Sequence, residues 1–488
     1  MTIPKELKNI CQKLQQAGFQ AYLVGGCVRD LLLKHKPKDW DIATNATPEE
    51  IQKIFPDSVY ENKFGTVAVK TESEDPTLKI IEATTFRLEG RYTNKRHPDE
   101  IKFAKTIEED LTRRDFTINA IAFNMGTSDV PNIDGNSRTS DVQNIVDPFD
   151  GQKDIKNKII RSVGDPDKRF SEDALRLMRA VRFAAELNFQ IEPKTAKAIL
   201  KNADKLSAIS KERIRDELQK ILLTGRAAQS VQQLQELKLL EHIIPELQEG
   251  IGVTQNKHHI YTVWEHNLLS LDYTVKKKYS FEIRLASLLH DIAKPRAKRG
   301  EGPDSTFYGH EIVGARMTSK ILERLRFSKK LTEKVIKLVR FHLFYYDTEF
   351  VTDSSVRRLI QKVGPENIYD LVRVREADRI GSGVPKAVPY RLRHFLYRVE
   401  KVMKEPAVSL RLLQVNGNEV MKILKIQPGP KVGMILNAVF EEVLDDPKKN
   451  DKDYLLKRIK ELGELSETEL KKLAEAAKEK YRHLLEEE

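Results

Sequence analysis

The signals for secondary structure change near residue 150, and this change restricts the fold more than any other feature of the sequence. Up to about residue 125, apolar runs typical of strands, such as "FQAYLVGG" and "FGTVAVKT", alternate with segments of helical spacing. From about residue 154 onward the strand signals nearly disappear, and amphipathic segments such as "KERIRDELQKILL" follow one another. The sequence therefore predicts one small α/β domain in front of a long all-α body.

The size and charge of the chain limit the possible classes of protein. A chain of 488 residues is too long for one core, so two to four domains are expected. With 40% hydrophobic and 32% charged residues, the composition is that of a soluble globular protein. The net charge of +11 favours a polyanionic partner, because cations that neutralise phosphates release condensed counterions. A solvated, lysine-rich surface would account for the same charge.

Cysteine content and hydropathy bear on the cellular compartment. The two cysteines, Cys11 and Cys27, are too few for a disulfide framework or a zinc–cysteine cluster. No run approaches 18 apolar residues, and the N-terminal "MTIPKELKNI" is too polar for a secretory signal. We therefore expect a cytoplasmic protein that does not associate with membranes.

Two acids stand one residue apart in "DWDIAT", a segment with the character of a strand. Because residues i and i+2 of a strand project from the same face, Asp39 and Asp41 are expected to point the same way. Two carboxylates placed like this can bridge magnesium ions bound to the phosphates of a nucleotide. Taken alone, an Asp-x-Asp pattern more often marks the end of a surface strand.

A glycine pair and an arginine precede these acids in "YLVGGCVRD". Gly25 and Gly26 would let the backbone come close to phosphate oxygens at a helix start, where free N–H groups attract anions. Arg29, one turn into that helix, could hold a triphosphate by a charge-assisted contact. The glycine turn and the acid pair together, on a strand–helix–strand frame, predict a nucleotide site with metal ions.

The segment "RRDFTINA" supplies a second group of polar residues ahead of an apolar run that we interpret as a helix. Asp115 could cap the start of that helix. Arg114 and Asp115 could also face the ribose hydroxyls and phosphates of a nucleotide, and the two interpretations are compatible.

An acid and three arginines recur every three residues in "EDALRLMRAVR": Asp173, Arg176, Arg179 and Arg182. On a helix they would form a slowly drifting stripe on one side, which is most often a solvated face. An aspartate can, however, accept from the amino group of a base while an arginine donates to a ring nitrogen or a carbonyl. Such a pair could satisfy the Watson–Crick edge of cytosine or adenine and would reject guanine and uracil.

Histidines and aspartates form an ordered set in the helical part of the chain: His266, His290, Asp291, His310, His342 and Asp378. Any one of them alone is more often a core or surface residue. The set is centred on the His290–Asp291 doublet inside an apolar run, and imidazoles and carboxylates are ligands that suit manganese, nickel, cobalt or iron. A cluster of these residues would therefore suit a transition metal.

Several of these segments resemble, in the right order, the motifs of class II tRNA nucleotidyltransferases. That family comprises CCA-adding enzymes and bacterial poly(A) polymerases of the polymerase β superfamily. The segments are "LVGGCVRDLLL…DWDIAT", "EEDLTRRDFTINAIAFN", "DPFDG" and "SEDALRLMRAVRFAAEL". The resemblance runs from about residue 20 to 240 and resumes in "NGNEVMKILKIQPGPKVGMIL". The histidine and aspartate set resembles an HD phosphohydrolase domain.

The resemblance implies a role for each candidate residue. The catalytic metal ligands would be Asp39 and Asp41, with Glu82 as a further carboxylate or, more simply, a solvated strand residue. The nucleotide would be bound by Gly26, Arg29, Arg114, Asp173, Arg176, Arg179 and Arg182, with Asp173 and Arg176 at the base. In the HD domain one metal would be held by His266, His290, Asp291 and Asp378. His310 and His342 could support a second metal, and Lys294 could steady a phosphate or simply be solvated.

An α+β fold with four parts is expected from the same resemblance. A polymerase β-like nucleotidyltransferase head with a mixed five-stranded sheet would span residues 1–150. A helical neck with the base-selecting helix would follow over 151–225. A helical body with the HD module would span 226–390, and a helical tail that binds tRNA would span 391–488.

The predicted function is template-independent addition of CCA to the 3′ end of tRNA from CTP and ATP. Magnesium would serve catalysis in the head, and the HD domain could add a phosphohydrolase activity with nickel, manganese or cobalt. The alternatives are a poly(A) polymerase, an enzyme that adds only CC or only the final A, and an HD phosphohydrolase with an RNA-binding head. The long segment from Arg87 to Pro98 favours addition of the A, and "GPKVGMIL" favours tRNA. The oligomeric state is not predicted.

Overall fold

The computed structural model of the chain describes residues 3–60, 65–89, 101–125, 144–256, 260–404 and 413–479. The chain folds into two compact units, Met1–Ile243 and Ile244–Glu488. The change from mixed to helical structure lies inside the first unit, so that unit contains a sheet and the helices that follow it. The finer division into head, neck, body and tail stays a prediction.

The first unit contains both strands and helices. Its strands are β1 Ala21–Val24, β2 Asp41–Thr44, β3 Ser58–Tyr60, β4 Thr66–Lys70, β5 Ile80–Thr85, β6 Arg87–Glu89, β7 Ile101–Phe103, β8 Ala122–Asn124, β9 Ile145–Val146, β10 Ile159–Ile160 and β11 Gln190–Ile191. Its helices are α1 Lys5–Gln16, α2 Gly26–Leu32, α3 Pro48–Ile54, α4 Ile107–Thr112, α5 Gly151–Asn157, α6 Pro166–Glu172, α7 Leu175–Leu187, α8 Pro193–Asn202, α9 Lys211–Leu223 and α10 Ala227–Glu236.

The main sheet is mixed, as predicted, and has the strand order β3-β4-β5-β2-β1-β8-β9. Strands β2 and β5 run parallel and the other neighbours run antiparallel. The expected number of five strands needs correction to seven in the described residues. The two edge strands β3 and β9 are only three and two residues long, and runs so short carry no alternating pattern that a sequence could reveal.

The pairing of β1 with β2 determines where the glycine turn lies. Leu23 of β1 stands opposite Ile42 of β2 in antiparallel register. The end of β1, which leads into Gly25, therefore lies beside the start of β2, which is Asp41. Helix α3 begins with a capping box between Thr47 and Glu50 and has Pro48 in its first turn, a combination typical of helix starts.

Two helical predictions in the first unit were wrong in detail. The run after Asp115 forms a single 3₁₀ turn, Thr117–Asn119, and then strand β8, because its apolar residues are buried in the sheet. The helix that was expected to carry the whole arginine stripe is broken at Asp173, which has extended backbone angles between α6 and α7. The Asp173 carboxylate accepts from the N–H of Leu175, a local bond that competes with continued helix.

The segment from Arg87 to Pro98, whose length favours addition of the A, begins with β6, which pairs with β7. Residues 90–100 and 126–143 lie outside the described residues.

The second unit is helical in its described residues, as predicted. Its helices are α11 Val263–Lys276, α12 Phe281–Leu289, α13 Lys294–Ala297, α14 His310–Arg324, α15 Lys329–Arg340, α16 Asp353–Val363, α17 Ile368–Gly381, α18 Tyr390–Met403, α19 Gly417–Leu424, α20 Pro430–Asp445, α21 Lys452–Gly463 and α22 Glu467–Glu479. Among the described helices of the chain, none combines the length and the apolar character needed to cross a membrane.

Candidate active site and metal cluster

A cavity of about 1100 Å³ opens in the first unit. It is large enough for a nucleotide, because pockets for small molecules typically measure about 300–1,000 Å³. Except for Glu82, the lining includes the residues that the sequence predicted for the head and neck: Gly25, Gly26, Arg29, Asp39, Asp41, Arg114, Asp115, Asp173, Arg176, Arg179 and Arg182. The fold thus brings them to one place, while their roles stay predictions.

Asp39 and Asp41 both face this cavity, although Asp39 precedes β2 rather than belonging to it. Asp39 is exposed, Asp41 is half-buried, and Trp40 between them is buried. Burial raises the pKa of Asp41, the charge of Asp39 raises it further, and Arg114 opposes the shift. Glu82 is the register partner of Asp41 in β5, but its side chain is exposed and lies outside the lining of the cavity.

The glycine turn allows a close approach between Arg114 and the start of α2. Gly25 has a φ of +76°, in the region that favours glycine. A Cβ atom at this position would lie 2.6 Å from Arg114 Nη1 and 3.7 Å from Asp41 Oδ2. Arg114 Nη2 also donates to Asp110 Oδ2 at 3.2 Å. Glycine is therefore required here both by the backbone conformation and by the guanidinium packed against it.

Arg29 lies in the cavity wall with its charge already partnered. Its Nε and Nη2 donate to Asp30 Oδ1 at 2.8 and 2.6 Å, and its Nη1 donates to Asn119 Oδ1 at 2.8 Å. The guanidinium also lies 5.4 Å from the ring centre of Phe183. These contacts hold Arg29 in one orientation, and Asp30 offsets part of the positive charge that it offers to an anion.

Asp115 is buried and does not cap an α-helix. Instead it pairs with Arg179 of the arginine stripe. Its Oδ2 accepts from Arg179 Nε at 2.7 Å, and its Oδ1 accepts from the N–H of Phe116 at 2.9 Å. Burial alone would raise the pKa of Asp115, but Arg179 and Arg176 lower it to about 2. The carboxylate is therefore ionised at neutral pH and fixes the direction of Arg179.

Asp173 lies at the break between α6 and α7 and is held by a residue that the sequence analysis did not single out. Arg213 of α9 donates to both carboxylate oxygens, from Nη1 at 3.1 Å and from Nη2 at 2.7 Å. A bidentate pair of this kind fixes the plane of the carboxylate as well as its position.

The arginines of α7 are not a solvated face. Arg176 is buried and donates to Glu172 Oε2 at 2.8 Å and to the carbonyl of Arg113 at 3.1 Å. Arg182 is also buried and lies 2.6 Å from Glu217 Oε1 of α9. Each of the three arginines thus has an acidic partner.

Arg213, Glu217 and Asn119 are the residues of this site that sequence analysis missed. For α9 a signal was available, because Glu217 falls on the same helical face as the apolar Ile214, Leu218 and Ile221. A charged residue on the buried face of a helix indicates a partner within the fold. Asn119 carries no comparable signal, since it lies in a short turn.

The second unit buries the whole histidine and aspartate set in one cluster. His266 lies in α11, the His290–Asp291 doublet follows α12, and Asp378 lies in α17. These four could hold a metal ion together, and Asp291 forms a second such group with His310 and His342. The expected grouping of the ligands is therefore present.

The distances within the cluster suit a divalent cation. His266 Nε2 lies 2.8 Å from His290 Nε2, 3.0 Å from Asp291 Oδ2 and 3.3 Å from Asp378 Oδ1. Ligand atoms about 2.1 Å from one ion are separated by roughly 3.0–3.4 Å. The other oxygen of Asp291 lies 3.1 Å from His310 Nε2, so the two groups share this carboxylate.

Backbone carbonyls orient three of the imidazoles. The Nδ1 atoms of His290, His310 and His342 lie 2.7–2.8 Å from carbonyl oxygens three residues earlier in the chain. A carbonyl only accepts, so Nδ1 carries a proton and Nε2 is the nitrogen that points into the cluster. When such a ring is neutral, this is the tautomer that a metal ligand requires.

The charges of the cluster also favour a cation. Asp291 and Asp378 are buried, which would raise their pKa, yet neighbouring positive charge holds the pKa of both well below the usual range. Burial would lower the pKa of His290, but these two carboxylates raise it to about 10. Burial lowers the pKa of His342 to about 4, so that this imidazole stays neutral.

Three residues around the ligands hold them in place. Arg375 Nη1 donates to Asp378 Oδ2 at 2.8 Å, which leaves Oδ1 directed at the histidines. Lys294 Nζ lies 2.7 Å from Asp291 Oδ2, so it is buried against a ligand rather than solvated. Gly381 lets α17 approach α11, because a Cβ there would lie 2.8 Å from the carbonyl oxygen of His266.

Comparison with known families assigns three stretches of the chain. The family model described as the Poly A polymerase head domain matches residues 21–161. The model described as the probable RNA and SrmB-binding site of polymerase A matches residues 188–251. The HD domain model matches residues 263–381, the range that contains the buried cluster.

Similar proteins match nearly the whole chain. The CCA-adding enzyme of Pediococcus pentosaceus is 43% identical over 466 residues, which cover 94% of this chain and 99% of the relative. The A-adding tRNA nucleotidyltransferase of Deinococcus radiodurans is 34% identical, covering 86% of this chain and 91% of the relative. The crystal structure of the Bacillus stearothermophilus CCA-adding enzyme in complex with CTP superposes with a TM-score of 0.64 at 28% identity, covering 94% and 96% of the two chains.

The position of Arg375 generates a prediction about the metal cluster. Replacing Arg375 with alanine should lower the affinity for Ni²⁺ or Mn²⁺ by about 10- to 100-fold, because Asp378 would lose the partner that directs its free oxygen. Titration calorimetry and metal analysis of the dialysed protein would measure the change. Arg373→Ala is the matched control, since Arg373 lies on the same helix but pairs with Asp370 at the surface. An unchanged affinity in the Arg375 variant would contradict this role.

Proposed function

Because this chain belongs to the family of CCA-adding enzymes, which are tRNA nucleotidyltransferases, we propose that it rebuilds the CCA end of tRNA from CTP and ATP and releases pyrophosphate. The observation that carries the proposal is the single cavity that holds the acid pair Asp39 and Asp41 together with Asp173 and Arg176. One nucleotide could therefore place its phosphates near the two acids and its base near Asp173 and Arg176. We place the activity in the cytoplasm, in keeping with two cysteines that are both buried free thiols.

Asp39 and Asp41 fit the chemistry of a magnesium site. Both offer carboxylate oxygens, the donors that Mg²⁺ prefers. Burial raises the pKa of Asp41, and the nearby charge of Asp39 raises it further, so a bound cation would stabilise the ionised form of both acids. Bound there, Mg²⁺ would acidify the attacking 3′ hydroxyl of tRNA and stabilise the departing pyrophosphate. The role of the chain is to fix the two carboxylates at the start of β2.

The triphosphate would lie against the glycine turn. Gly25 and Gly26 bring the backbone to the cavity surface at the start of α2. Arg114 and Arg29 line the same wall and would contact phosphate oxygens through charge-assisted bonds. Because Asp110 and Asp30 already hold these guanidiniums, they would not have to be ordered when the nucleotide binds.

The base would meet the wall formed by Asp173 and Arg176. An aspartate accepts from the exocyclic amino group that cytosine and adenine both carry, and an arginine donates to their ring nitrogen or carbonyl. Guanine and uracil present the opposite pattern at these positions. Arg213 holds Asp173, and Glu172 holds Arg176. With both side chains fixed in this way, the protein could select the base without a nucleic-acid template.

The proposal is tested by the nucleotides that the enzyme adds to a tRNA transcript lacking CCA. CTP alone should add two residues, ATP alone none, and both together three. A stop after two residues would indicate a CC-adding enzyme, and extension only of a transcript ending in CC would indicate an A-adding enzyme like the Deinococcus relative. A long tail from ATP alone would indicate a poly(A) polymerase.

The same assay with acid variants tests where the chemistry occurs. Asp41→Ala and Asp39→Ala should lower the rate by several orders of magnitude, because the bound metal supplies most of the charge stabilisation. Asp57→Ala is the control, since Asp57 is an exposed acid in the same unit. Near-normal incorporation by Asp41→Ala would contradict the site and favour an HD phosphohydrolase whose head only binds RNA.

A prediction about base selection follows from the separate positions of the base and phosphate contacts. Asp173→Ala should increase misincorporation of UTP and GTP more than it weakens triphosphate binding. The measurement is kcat/KM for each of the four nucleotides, with Asp167→Ala of α6 as the control because that acid pairs with Lys201 at the surface. If selectivity is unchanged while nucleotide binding collapses, Asp173 does not contact the base, and its role is to position Arg213.

A second candidate function is suggested by the buried cluster of the second unit, which is complete in its ligands. Its imidazole and carboxylate donors fit a transition-metal ion such as nickel, manganese or cobalt. A metal bound there would lower the pKa of a bound water and so supply a nucleophile at neutral pH. We propose hydrolysis of phosphate esters, such as 2′,3′-cyclic ends of RNA, as an additional activity of this unit.

Asp291→Ala should abolish this hydrolysis, because Asp291 belongs to both ligand groups. Cleavage of a 2′,3′-cyclic nucleotide would be measured with added nickel, manganese or cobalt. CCA addition by the same variant serves as the control and should stay nearly intact. If the wild-type protein binds no transition metal and cleaves no phosphoester, the cluster is structural.

A further inference from the structure

The segment that precedes α11, residues 245–256, is fastened to the part of the second unit that contains Asp291 and His310. We call this segment the strap, and it begins with the 3₁₀ helix Pro245–Gly250. Cationic side chains of α13, of α14 and of the residue after α13 contact it at four points. Arg324 pairs with Glu246, Arg296 pairs with Glu249, Lys298 donates to Thr254, and Lys294 donates to Gln255.

The contact between Gln255 and Lys294 differs from the other three because it is buried. Each of these two residues is 6% exposed, whereas the other contacts lie at or near the surface. Gln255 Oε1 accepts from Lys294 Nζ at 2.7 Å, and Gln255 Nε2 donates to the carbonyl of Tyr261 at 3.1 Å. Both ends of the amide are thus bonded, which a buried glutamine requires.

Lys294 connects Gln255 to the buried cluster of histidines and aspartates. Its Nζ lies 2.7 Å from Asp291 Oδ2, the oxygen that is 3.0 Å from His266 Nε2. The ring centre of Phe307 lies 5.6 Å from the same Nζ. An ammonium carries three N–H groups, and Gln255 accepts one of them. Donors therefore remain for Asp291 and for an oxygen of a bound substrate.

The acceptor at position 255 is neutral, and this preserves the charge of Lys294. A carboxylate in the same place would hold the ammonium more strongly but would also neutralise it. A glutamine fixes the direction of the ammonium and leaves its positive charge available to an anion. Because a lysine side chain loses rotamer entropy when it is ordered, an ammonium fixed in advance binds a phosphate at lower cost.

We propose that Gln255 is a positioning residue of the phosphohydrolase site. It holds the ammonium of Lys294 beside Asp291 without neutralising it, and so makes the site prefer anionic phosphate esters. Gln255 acts only through Lys294, which would contact an oxygen of the ester. This inference rests on the second candidate function, which assigns a transition metal and a phosphate ester to the cluster.

Two replacements of Gln255 test the inference on the full-length protein with Ni²⁺ and 2′,3′-cyclic AMP. Gln255→Ala removes the acceptor that orients Lys294 and should lower kcat/KM about 10- to 100-fold. Its affinity for Ni²⁺, measured by calorimetry, should stay within about two-fold of the wild type, because the metal ligands are unchanged.

Gln255→Glu keeps the shape of the side chain but places a carboxylate against Lys294. Added negative charge should strengthen Ni²⁺ binding about ten-fold, and neutralisation of the ammonium should raise KM for the cyclic nucleotide about ten-fold. Damage to the fold would weaken both metal and substrate binding, so opposite changes identify a role in positioning charge.

Gln248→Ala is the matched control, because Gln248 is a half-buried glutamine of the same strap whose side chain makes no described contact with Lys294. It should behave like the wild type, and CCA addition by all three variants should stay intact. Wild-type hydrolysis and metal binding in both Gln255 variants would overturn the inference. So would weakened Ni²⁺ binding in Gln255→Glu, which would make Gln255 a structural residue.

A wild type that binds Ni²⁺ but cleaves no ester still permits the test, with inorganic phosphate as the probe. Gln255→Glu should then weaken phosphate binding to the nickel-loaded protein about ten-fold, and an unchanged affinity would overturn the inference. A wild type that binds neither nickel nor phosphate would refute the second candidate function itself, and this inference with it.

Discussion

The close approach of Arg114 to the Cα atom of Gly25 is the contact on which the arrangement of the first site depends. Only a residue without a Cβ leaves room for the guanidinium, which Asp110 and the carbonyl of Asn119 hold from the other side. In this position Arg114 is the cation nearest to the glycine turn and opposes the burial-induced rise in the pKa of Asp41. One contact therefore joins the glycine turn, the carboxylate of Asp41 and the polar segment before β8.

The remaining walls of this cavity are built from pairs of acids and arginines. The pairs are Asp115–Arg179, Asp173–Arg213, Glu172–Arg176 and Glu217–Arg182. Pairs buried to this degree contribute little net stability, because desolvation of both charges offsets their attraction. These pairs hold the arginine side chains in one orientation. An unpaired arginine would lose rotamer entropy on binding a nucleotide, and a paired one has already lost it. A protein that selects bases without a template needs donors and acceptors whose positions are set before the base arrives.

Local patterns in the sequence predicted the parts of this site that depend on near neighbours. The glycine turn lies at the start of a helix and the histidine set lies in one cluster, as the sequence predicted. Of the acid pair, only Asp41 belongs to the predicted strand, although both acids line the cavity. The break at Asp173 did not follow, because it depends on one side chain bonding to the backbone two residues ahead. Neither did the clamp by Arg213, which is 40 residues away in sequence. Interactions of this kind are decided by tertiary packing, and a sequence shows them only indirectly, as charges on a buried helical face.

The candidate metal site of the second unit depends on contacts between residues that are even farther apart in sequence. Its six candidate ligands span 113 positions between His266 and Asp378, and each is buried. Charges and lone pairs brought together without water destabilise a fold unless a cation or a proton compensates them. In the cluster Lys294 and Arg375 compensate part of the charge of the two aspartates, while the histidines keep Nε2 directed inward. A divalent ion would complete that compensation and would also link helices that are far apart in sequence, so metal binding and the folding of this unit should be coupled.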